Sequence, residues 1–257
     1  MSYNLAPCPA PADTSAQMRP LFRMASGLEL LLASASPRRR QFLNEWGIPF
    51  RLALTNADEP RPEQGESPEA YTRRAAAAKA LASGHAVRQQ GAANHELQPV
   101  ILAADTVVAV DGDILGKPEN PAHALRMLER LNGRGHEVIS AVCLLLPADA
   151  AIGSVQAAAA SAGTNTGLNV DECCIDSYRM LSFSDTSRVI FHHWPQPVLQ
   201  AYLDTGEPHD KAGAYAIQGQ GAVLVERVDG SWSTVVGLPV TQLAQVMLDR
   251  GLMLPCA

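Results

Sequence analysis

A basic segment at a predicted strand-to-helix turn contains residue types that bind phosphate. Residues Ser34–Arg40 read SASPRRR and place two serine hydroxyls and three guanidinium groups around the first turn of a helix. Cations at a helix N-terminus oppose the helix dipole and cost about 0.3–1 kcal/mol each when exposed, whereas a bound anion makes them favourable. The segment therefore indicates a phosphate-binding turn or, as the alternative, a solvated basic turn. It lacks the Gly-rich run and the Gly-Lys-Ser/Thr sequence of a P-loop.

Asp105 is the carboxylate best placed for catalysis. It follows the apolar run Val100–Ala104, which predicts a buried strand, and precedes Thr106 and a second apolar run, Val107–Val110. Ligands of open α/β sheets bind outside the carboxyl ends of the strands, so a carboxylate at such an end can contact substrate. A turn-capping aspartate is the other interpretation of this position.

Three lysines and an amide add candidate ligand contacts. Lys117 stands in a Gly-Lys-Pro sequence, whose restricted backbone favours a charge held in place. Lys79 lies in an alanine-rich predicted helix, where lysine is ordinarily solvated unless a ligand lies beside it. The glycine-rich stretch Thr205–Gly219 contains Lys211 and Gln218, a cation and a side chain that both donates and accepts hydrogen bonds. By itself this stretch could also be a well-ordered loop.

Two acidic residues follow the predicted strand Arg51–Thr55. Asp58 and Glu59 begin a polar, Pro-rich loop that continues to Glu66. Acidic loops of this kind usually face solvent. A carboxylate just past a strand can also bind a hard cation or orient a substrate, so both interpretations stay open.

The candidate residues need a sheet covered by helices to bring them together. Ser36 as N-cap, Pro37 as first helical residue and Gly47 past the end define the first helix, whose apolar face is Phe42, Leu43 and Trp46. Further helices are predicted from Ser67 to Gly84, from Pro121 to Gly133, from Pro197 to Leu203 and from Pro239 to Arg250. Besides the runs named above, strands are predicted at Leu30–Ala33, Ile114–Leu115, Glu137–Leu146, Ser184–Phe191, Ala222–Val228 and Trp232–Val236, the last two as a hairpin around Asp229-Gly230.

Two segments have no periodic apolar pattern. Residues 1–28 are rich in proline, lack the apolar region of a signal peptide and are expected to be a flexible N-terminal extension. Residues 147–172 consist mainly of small and polar types and are expected to be a flexible insertion between two strands.

Composition excludes several classes of function. The chain has 257 residues, is 47% hydrophobic and has no apolar run near the ~18 residues of a membrane span. Its net charge of −6 argues against a general nucleic-acid partner, so any anion site must be local. The five cysteines are odd in number and lack a CxxC pair, which is typical of reduced thiols in a cytoplasmic protein.

Four motifs resemble those of the Maf family of nucleoside triphosphate pyrophosphatases. They are LASASPRR from Leu32, AADTVVAVDGDILGKP from Ala103, TGEPHDKAGAYAIQG from Thr205 and VVGLP from Val235. Several long motifs in the same order are a specific signal, unlike a lone glycine pattern. The resemblance implies a single Maf-like catalytic domain over residues 29–252, with a Maf/ITPase-like α/β fold: a mixed β-sheet flanked by helices, with a central cleft. It also implies a cytoplasmic homodimer that hydrolyses a nucleoside triphosphate to the monophosphate and pyrophosphate.

The resemblance assigns roles residue by residue. Asp105 matches the family's proton acceptor, which activates water for attack on the α-phosphorus. Glu59 matches an acidic residue that helps hold metal or substrate. Oxygen ligands from Asp105, Glu59 and the phosphates suit a divalent cation, Mg²⁺ or Mn²⁺. The other matching positions contact the nucleotide: Ser34, Arg38, Arg39, Lys79, Thr106, Lys117, Lys211 and Gln218.

The motifs also resemble one branch of the family more than another. The SPRR, ADT and AGAY-x-IQG sequences are similar to the branch associated with dTTP and UTP, and modified pyrimidine nucleotides are further candidate substrates. The other branch, associated with 7-methyl-GTP, has SPWR, SDQ and a loop ending near SEG. Gln218 could pair with the donor and acceptor edge of uracil or thymine. The alternatives are a 7-methyl-GTP pyrophosphatase and a nucleotide-binding regulator of septum formation.

Overall fold

A computed structural model describes residues 19–55, 60–89, 97–148 and 168–256. The strands in these ranges are β1 (Phe22–Met24), β2 (Leu28–Leu32), β3 (Phe50–Leu52), β4 (Gln98–Val110), β5 (Asp113–Leu115), β6 (Gly135–Pro147), β7 (Asp171–Ile175), β8 (Tyr178–Phe191), β9 (Val225–Asp229) and β10 (Met253–Pro255). The α-helices are α1 (Pro37–Trp46), α2 (Pro68–Gln89), α3 (Pro121–Leu131), α4 (Gln196–Asp204), α5 (Trp232–Val236) and α6 (Val240–Asp249). Three short 3₁₀ turns lie between α4 and β9.

Eight of the described strands form one mixed sheet, which confirms the predicted fold class. The strand order is β3-β2-β4-β6-β8-β7, with β5 beside β4 and β9 beside β8. β2 runs parallel to β3 and β4, whereas β6, β7, β8 and β9 pair antiparallel with their neighbours. The parallel pairing of β2 with β4 ends at Leu32 and Leu102, and β4 continues beyond it against β6.

Both faces of the central strands are covered by helices. On one face Leu30 and Leu102 belong to a buried cluster with Leu43 of α1 and residues of α6. On the other face Ile101 packs in a cluster with Ala80 and the other small residues of α2. Alanine has no bulky side chain, so α2 lies close against the sheet. Because helices cover both faces of the sheet here, the first strands are continuous apolar runs without alternation.

Helix α1 has the predicted boundaries. Ser36 is the N-cap residue, Pro37 begins the helix, and Gly47 follows it with a φ of 74°, a left-handed conformation that favours glycine. The Ser36 side chain makes no capping hydrogen bond. The hydroxyl of this residue is therefore not committed to the helix N-terminus.

The predicted hairpin at residues 222–236 is wrong in its second half. Residues 225–229 form β9, but it pairs with β8, and Trp232–Val236 is the short helix α5. The Ser187 hydroxyl donates to the Ser231 carbonyl and accepts from the Ser231 amide, at 3.1 and 2.9 Å. This contact turns the chain away from the sheet. The β-branched residues of α5 have strand propensity, and their tertiary surroundings override it.

The two segments without a periodic pattern contain described strands. Within residues 147–172, positions 149–167 lie outside the described residues, but Asp171 begins β7, an edge strand paired with β8. Of residues 1–28, positions 1–18 lie outside the described residues, and Phe22–Met24 pairs antiparallel with β10 near the C-terminus.

Candidate active site

A cleft of about 620 Å³ lies beyond the carboxyl end of β2. Its walls are the start of α1, the middle of β4, the 3₁₀ turns and the turn after α5. Nine of the ten residues predicted to form the site line it: Ser34, Arg38, Arg39, Lys79, Asp105, Thr106, Lys117, Lys211 and Gln218. The tenth, Glu59, lies outside the described residues.

Asp105 lies within a strand and not at its end. The prediction of two strands, Val100–Ala104 and Val107–Val110, is wrong, because β4 runs unbroken from Gln98 to Val110. Its parallel partner β2 ends opposite Leu102, so Asp105 still lies at the carboxyl edge of the parallel part of the sheet. A strand position makes the turn-capping interpretation of Asp105 untenable.

Asp105 pairs with Lys79 of α2. The lysine Nζ donates to Oδ1 of Asp105 at 2.5 Å, and the aspartate side chain is only 6% exposed. The second oxygen, Oδ2, is buried and has no hydrogen-bond partner among the described residues. A buried carboxylate oxygen without a partner is costly unless a ligand satisfies it. The pair thus leaves one oxygen for a water molecule or a cation in the cleft.

Arg39 connects three segments of the site. Its Nε donates to the Gly237 carbonyl at 2.8 Å and Nη2 to Oγ1 of Thr106 at 3.1 Å. Its Nη1 donates to Oγ of Ser34 at 3.0 Å and to the Ala104 carbonyl at 2.8 Å. The planar guanidinium spreads its donors over the turn after β2, strand β4 and the turn after α5. Arg39 therefore builds the site as well as lining it.

Arg38 has more donors left for a ligand. Its Nε donates to the Val236 carbonyl at 3.3 Å. Among the described residues neither terminal nitrogen of Arg38 has a hydrogen-bond partner, and the positive charge of Arg38 helps to lower the pKa of the Asp210 carboxyl. Of the two arginines that line the cleft, Arg38 is the better candidate for a direct phosphate contact.

Lys117 and Lys211 are brought together on another wall. The Gly213 amide donates to the Gly116 carbonyl at 3.1 Å, which joins the loop of Lys117 to that of Lys211. Lys211 donates to the neighbouring Asp210. This hydrogen bond is the main cause that lowers the pKa of the Asp210 carboxyl, with help from the charges of Lys211 and Arg38.

The cleft carries excess positive charge in a chain of net charge −6. Five lining residues are lysine or arginine, and two are carboxylates, Asp105 and Asp210. Opposite charge concentrated in a concave site attracts a polyanion. The local anion site expected from the sequence is thus supported by the lining of the cleft.

Ser140 was missed by sequence reasoning. It is fully buried on β6, hydrogen-bonds Oγ1 of Thr106 at 2.8 Å and donates to the Thr234 carbonyl at 2.7 Å. Thr106 also accepts from Arg39, so the serine extends the network behind the cleft. The available signal was a single serine in the otherwise apolar run Val138–Leu146, which suggests a buried polar contact.

A mixed α/β sheet with a cationic cleft around one buried carboxylate is suited to binding an anion. A family model described as Maf-like protein matches residues 29–250, and the chain belongs to this family. The resemblance drawn from the four motifs is confirmed.

Several relatives carry the name dTTP/UTP pyrophosphatase. The one from Oleidesulfovibrio alaskensis is 45% identical over 226 residues, which cover 88% of this chain and 87% of the relative. The one from Nitratidesulfovibrio vulgaris is 45% identical over 222 residues, covering 86% and 88%. The one from Methylococcus capsulatus is 40% identical over 228 residues, covering 89% and 94%.

Proposed function

We propose that this chain is a nucleoside triphosphate pyrophosphatase that hydrolyses dTTP and UTP to the monophosphate and pyrophosphate. The observation that carries the proposal is the buried Oδ2 of Asp105, which has no partner among the described residues and lies in a cleft lined by five cationic side chains. The names of the relatives agree with this chemistry. Its role in the cell would be housekeeping of the nucleotide pool.

Asp105 is the proposed general base. Oδ2 takes a proton from water, whose oxygen attacks the α-phosphorus, and the bond from that phosphorus to the bridging oxygen breaks to release pyrophosphate. Lys79 holds the carboxylate by its other oxygen, 2.5 Å away. Arg38, Lys117 and Lys211 neutralise the triphosphate and the leaving group.

We propose that the reaction uses a divalent cation, Mg²⁺ or Mn²⁺, and the carboxylate of Asp105 is a suitable ligand for it. A hard cation prefers oxygen ligands, and Mg²⁺ commonly uses one or two carboxylates together with substrate phosphates and water. Oδ2 of Asp105 has two lone-pair directions, so one can face the attacking water and the other the cation, and Glu59, outside the described residues, is the second proposed ligand. Substrate phosphate oxygens and water would supply the remaining ligands. When bound, the cation would withdraw charge from the triphosphate.

Gln218 is the proposed base reader. It lines the same cleft as Asp105, and its amide can donate and accept at the edge of uracil or thymine. A 7-methyl-GTP pyrophosphatase and a nucleotide-binding regulator of septum formation remain the alternatives, and a substrate panel separates all three.

The decisive experiment measures pyrophosphate release from dTTP, UTP, CTP, ATP, GTP and 7-methyl-GTP with Mg²⁺ or Mn²⁺. We expect dTTP and UTP to be preferred. Asp105→Asn should lower kcat by about 10²–10⁴-fold, the usual effect of losing a general base. Asp210→Asn is the matched control, since it neutralises the other carboxylate of the cleft. Folded wild-type protein that binds nucleotide without releasing pyrophosphate would move the function to the regulatory alternative, and preferred turnover of 7-methyl-GTP would move it to the other enzyme.

We also propose that the chain forms a homodimer in the cytoplasm and has no stable nucleic-acid partner. The resemblance to the family supports this part of the proposal. Light scattering on the purified protein would measure the subunit number. Among the helices that the structure describes, none has the length and apolar character needed to cross a membrane.

A further inference from the structure

We propose that Glu207 and Tyr202 are positioning residues that set the base selectivity of the cleft. They do so by holding the loop Ala216–Gly221, which carries Gln218. The inference rests on the proposed function only in assigning the base contact to Gln218. Neither Glu207 nor Tyr202 lines the cleft, so both would act through the loop and not by touching the nucleotide.

The Glu207 carboxylate receives two backbone amides from the end of the loop. Oε2 accepts from the Gln220 amide and Oε1 from the Gly221 amide, each at 3.0 Å. Hydrogen bonds from an amide to a charged carboxylate are stronger than those between neutral groups. Each oxygen holds a different amide, so the carboxylate fixes the orientation of this part of the backbone.

Tyr202 connects the same carboxylate to the start of the loop. Its hydroxyl donates to Oε1 of Glu207 at 3.1 Å and accepts from the Ala216 amide at 3.2 Å. Burial is the main cause that raises the pKa of the Tyr202 phenol, so the hydroxyl keeps its proton at neutral pH. With the proton directed to Glu207, a lone pair is directed to the Ala216 amide. One tyrosine–glutamate pair thus holds both ends of the loop.

Two glycines allow the loop to approach this pair. A Cβ atom on Gly219, which has a φ of +77°, would lie 2.6 Å from Oε2 of Glu207. A Cβ atom on Gly221 would lie 2.3 Å from the Ala216 carbonyl oxygen and 2.6 Å from the Tyr202 hydroxyl. All three distances are well below van der Waals contact. The glycines of the IQGQG sequence are therefore explained by packing on the tyrosine and glutamate.

Gln218 lies two residues after one anchored amide and two before the next. Its side chain lines the cleft, while the anchors attach to backbone on either side of it. A base reader must present its donor and acceptor in a fixed place, because small displacements weaken hydrogen bonds steeply. Loosening the anchors should therefore reduce discrimination between bases more than it reduces binding of the triphosphate.

The test compares binding of α,β-methylene UTP and α,β-methylene GTP by calorimetry, which needs no turnover. Glu207→Gln keeps the size of the side chain but replaces one carboxylate oxygen, an acceptor, by an amide NH2 group, which can only donate. We expect the UTP-to-GTP affinity ratio to fall about 10-fold, which corresponds to about 1.4 kcal/mol. Tyr202→Phe, which removes only the hydroxyl, should lower the ratio in the same direction. Glu226→Gln, on β9 outside the cleft, is the matched control.

A double-mutant comparison separates positioning from a general structural effect. In a Gln218→Ala background, Glu207→Gln should lower the ratio no further, because the group that it positions is absent. The inference is overturned if Glu207→Gln weakens both analogues equally, leaves the ratio within twofold of wild type, or adds its full effect to Gln218→Ala. Wild-type protein without base selectivity would overturn it as well. Selective binding without pyrophosphate release would refute the proposed function while the affinity ratios still decide the inference.

Discussion

Replacing Arg39 by lysine tests whether this guanidinium assembles the site. The side chain donates to four acceptors, two of which are backbone carbonyls of the buried residues Ala104 and Gly237. A lysine has three donors at one point and cannot reach acceptors spread over three segments. Each buried acceptor left unpaired costs about 1–3 kcal/mol. If lysine satisfies one carbonyl and loses other contacts, Arg39→Lys should lower the free energy of unfolding by about 2–4 kcal/mol.

The matched control is Arg40→Lys in the same helical turn. Arg40 donates to the Ala35 carbonyl at 3.3 Å in an exposed contact, so its replacement should change stability by less than about 0.5 kcal/mol. Urea denaturation followed by circular dichroism gives both values. Arg39→Lys should also raise KM for dTTP, because Ser34 and Thr106 lose the arginine that donates to both. Equal stability of Arg39→Lys and Arg40→Lys would refute the inference that the Arg39 guanidinium assembles the site.

Two further perturbations probe buried ionisable groups. Lys79→Met removes the cation beside Asp105 and should lower the free energy of unfolding by about 1–3 kcal/mol. This value is reduced because the Lys79 side chain is 29% exposed. A loss under ~0.5 kcal/mol, measured by urea denaturation, would contradict a stabilising role of the Lys79–Asp105 pair. Burial lowers the pKa of His136 from 6.5 to about 4. The unfolded chain therefore binds a proton that the folded chain excludes, and stability should fall as pH drops from 6.5 to 4, by about 3 kcal/mol in total from this residue. His136→Gln should flatten that dependence in denaturation curves at pH 7 and pH 5, and an unchanged slope would assign the acid sensitivity to other groups.

Local chemistry explains where sequence reasoning succeeded. The two ends of α1 follow from Pro37 and Gly47, and the start of α3 follows from Pro121, whose preceding residue Asn120 accepts a hydrogen bond from the His123 amide at 2.8 Å. These signals depend on residues a few positions apart, so they act before any tertiary contact forms. The family motifs similarly contain eight of the nine candidate residues that line one cleft, and the ninth, Lys79, lies outside them. Their individual roles remain proposals for the experiments above.

Tertiary contacts decided what the local pattern could not. Sequence reasoning expected Trp232–Val236 as a strand, but contacts between Ser187 and Ser231, 44 residues apart, direct the chain into α5. It also did not find β7, because an edge strand exposed on both faces has no apolar alternation to detect.

The hydrogen-bond network that holds the site together could not be predicted from the sequence either. The basic turn and the family motif indicated that Arg39 contacts phosphate, yet its hydrogen bonds go to protein groups up to 198 residues away. Glu207 lies in the motif from Thr205 but was not among the candidate residues, although its carboxylate holds backbone 13 and 14 residues further along the chain. The types of the residues in this site were determined by the sequence itself. Which of them face the cleft and which hold the others in place was decided by the fold, because donors and acceptors pair by distance in space and not by separation along the chain.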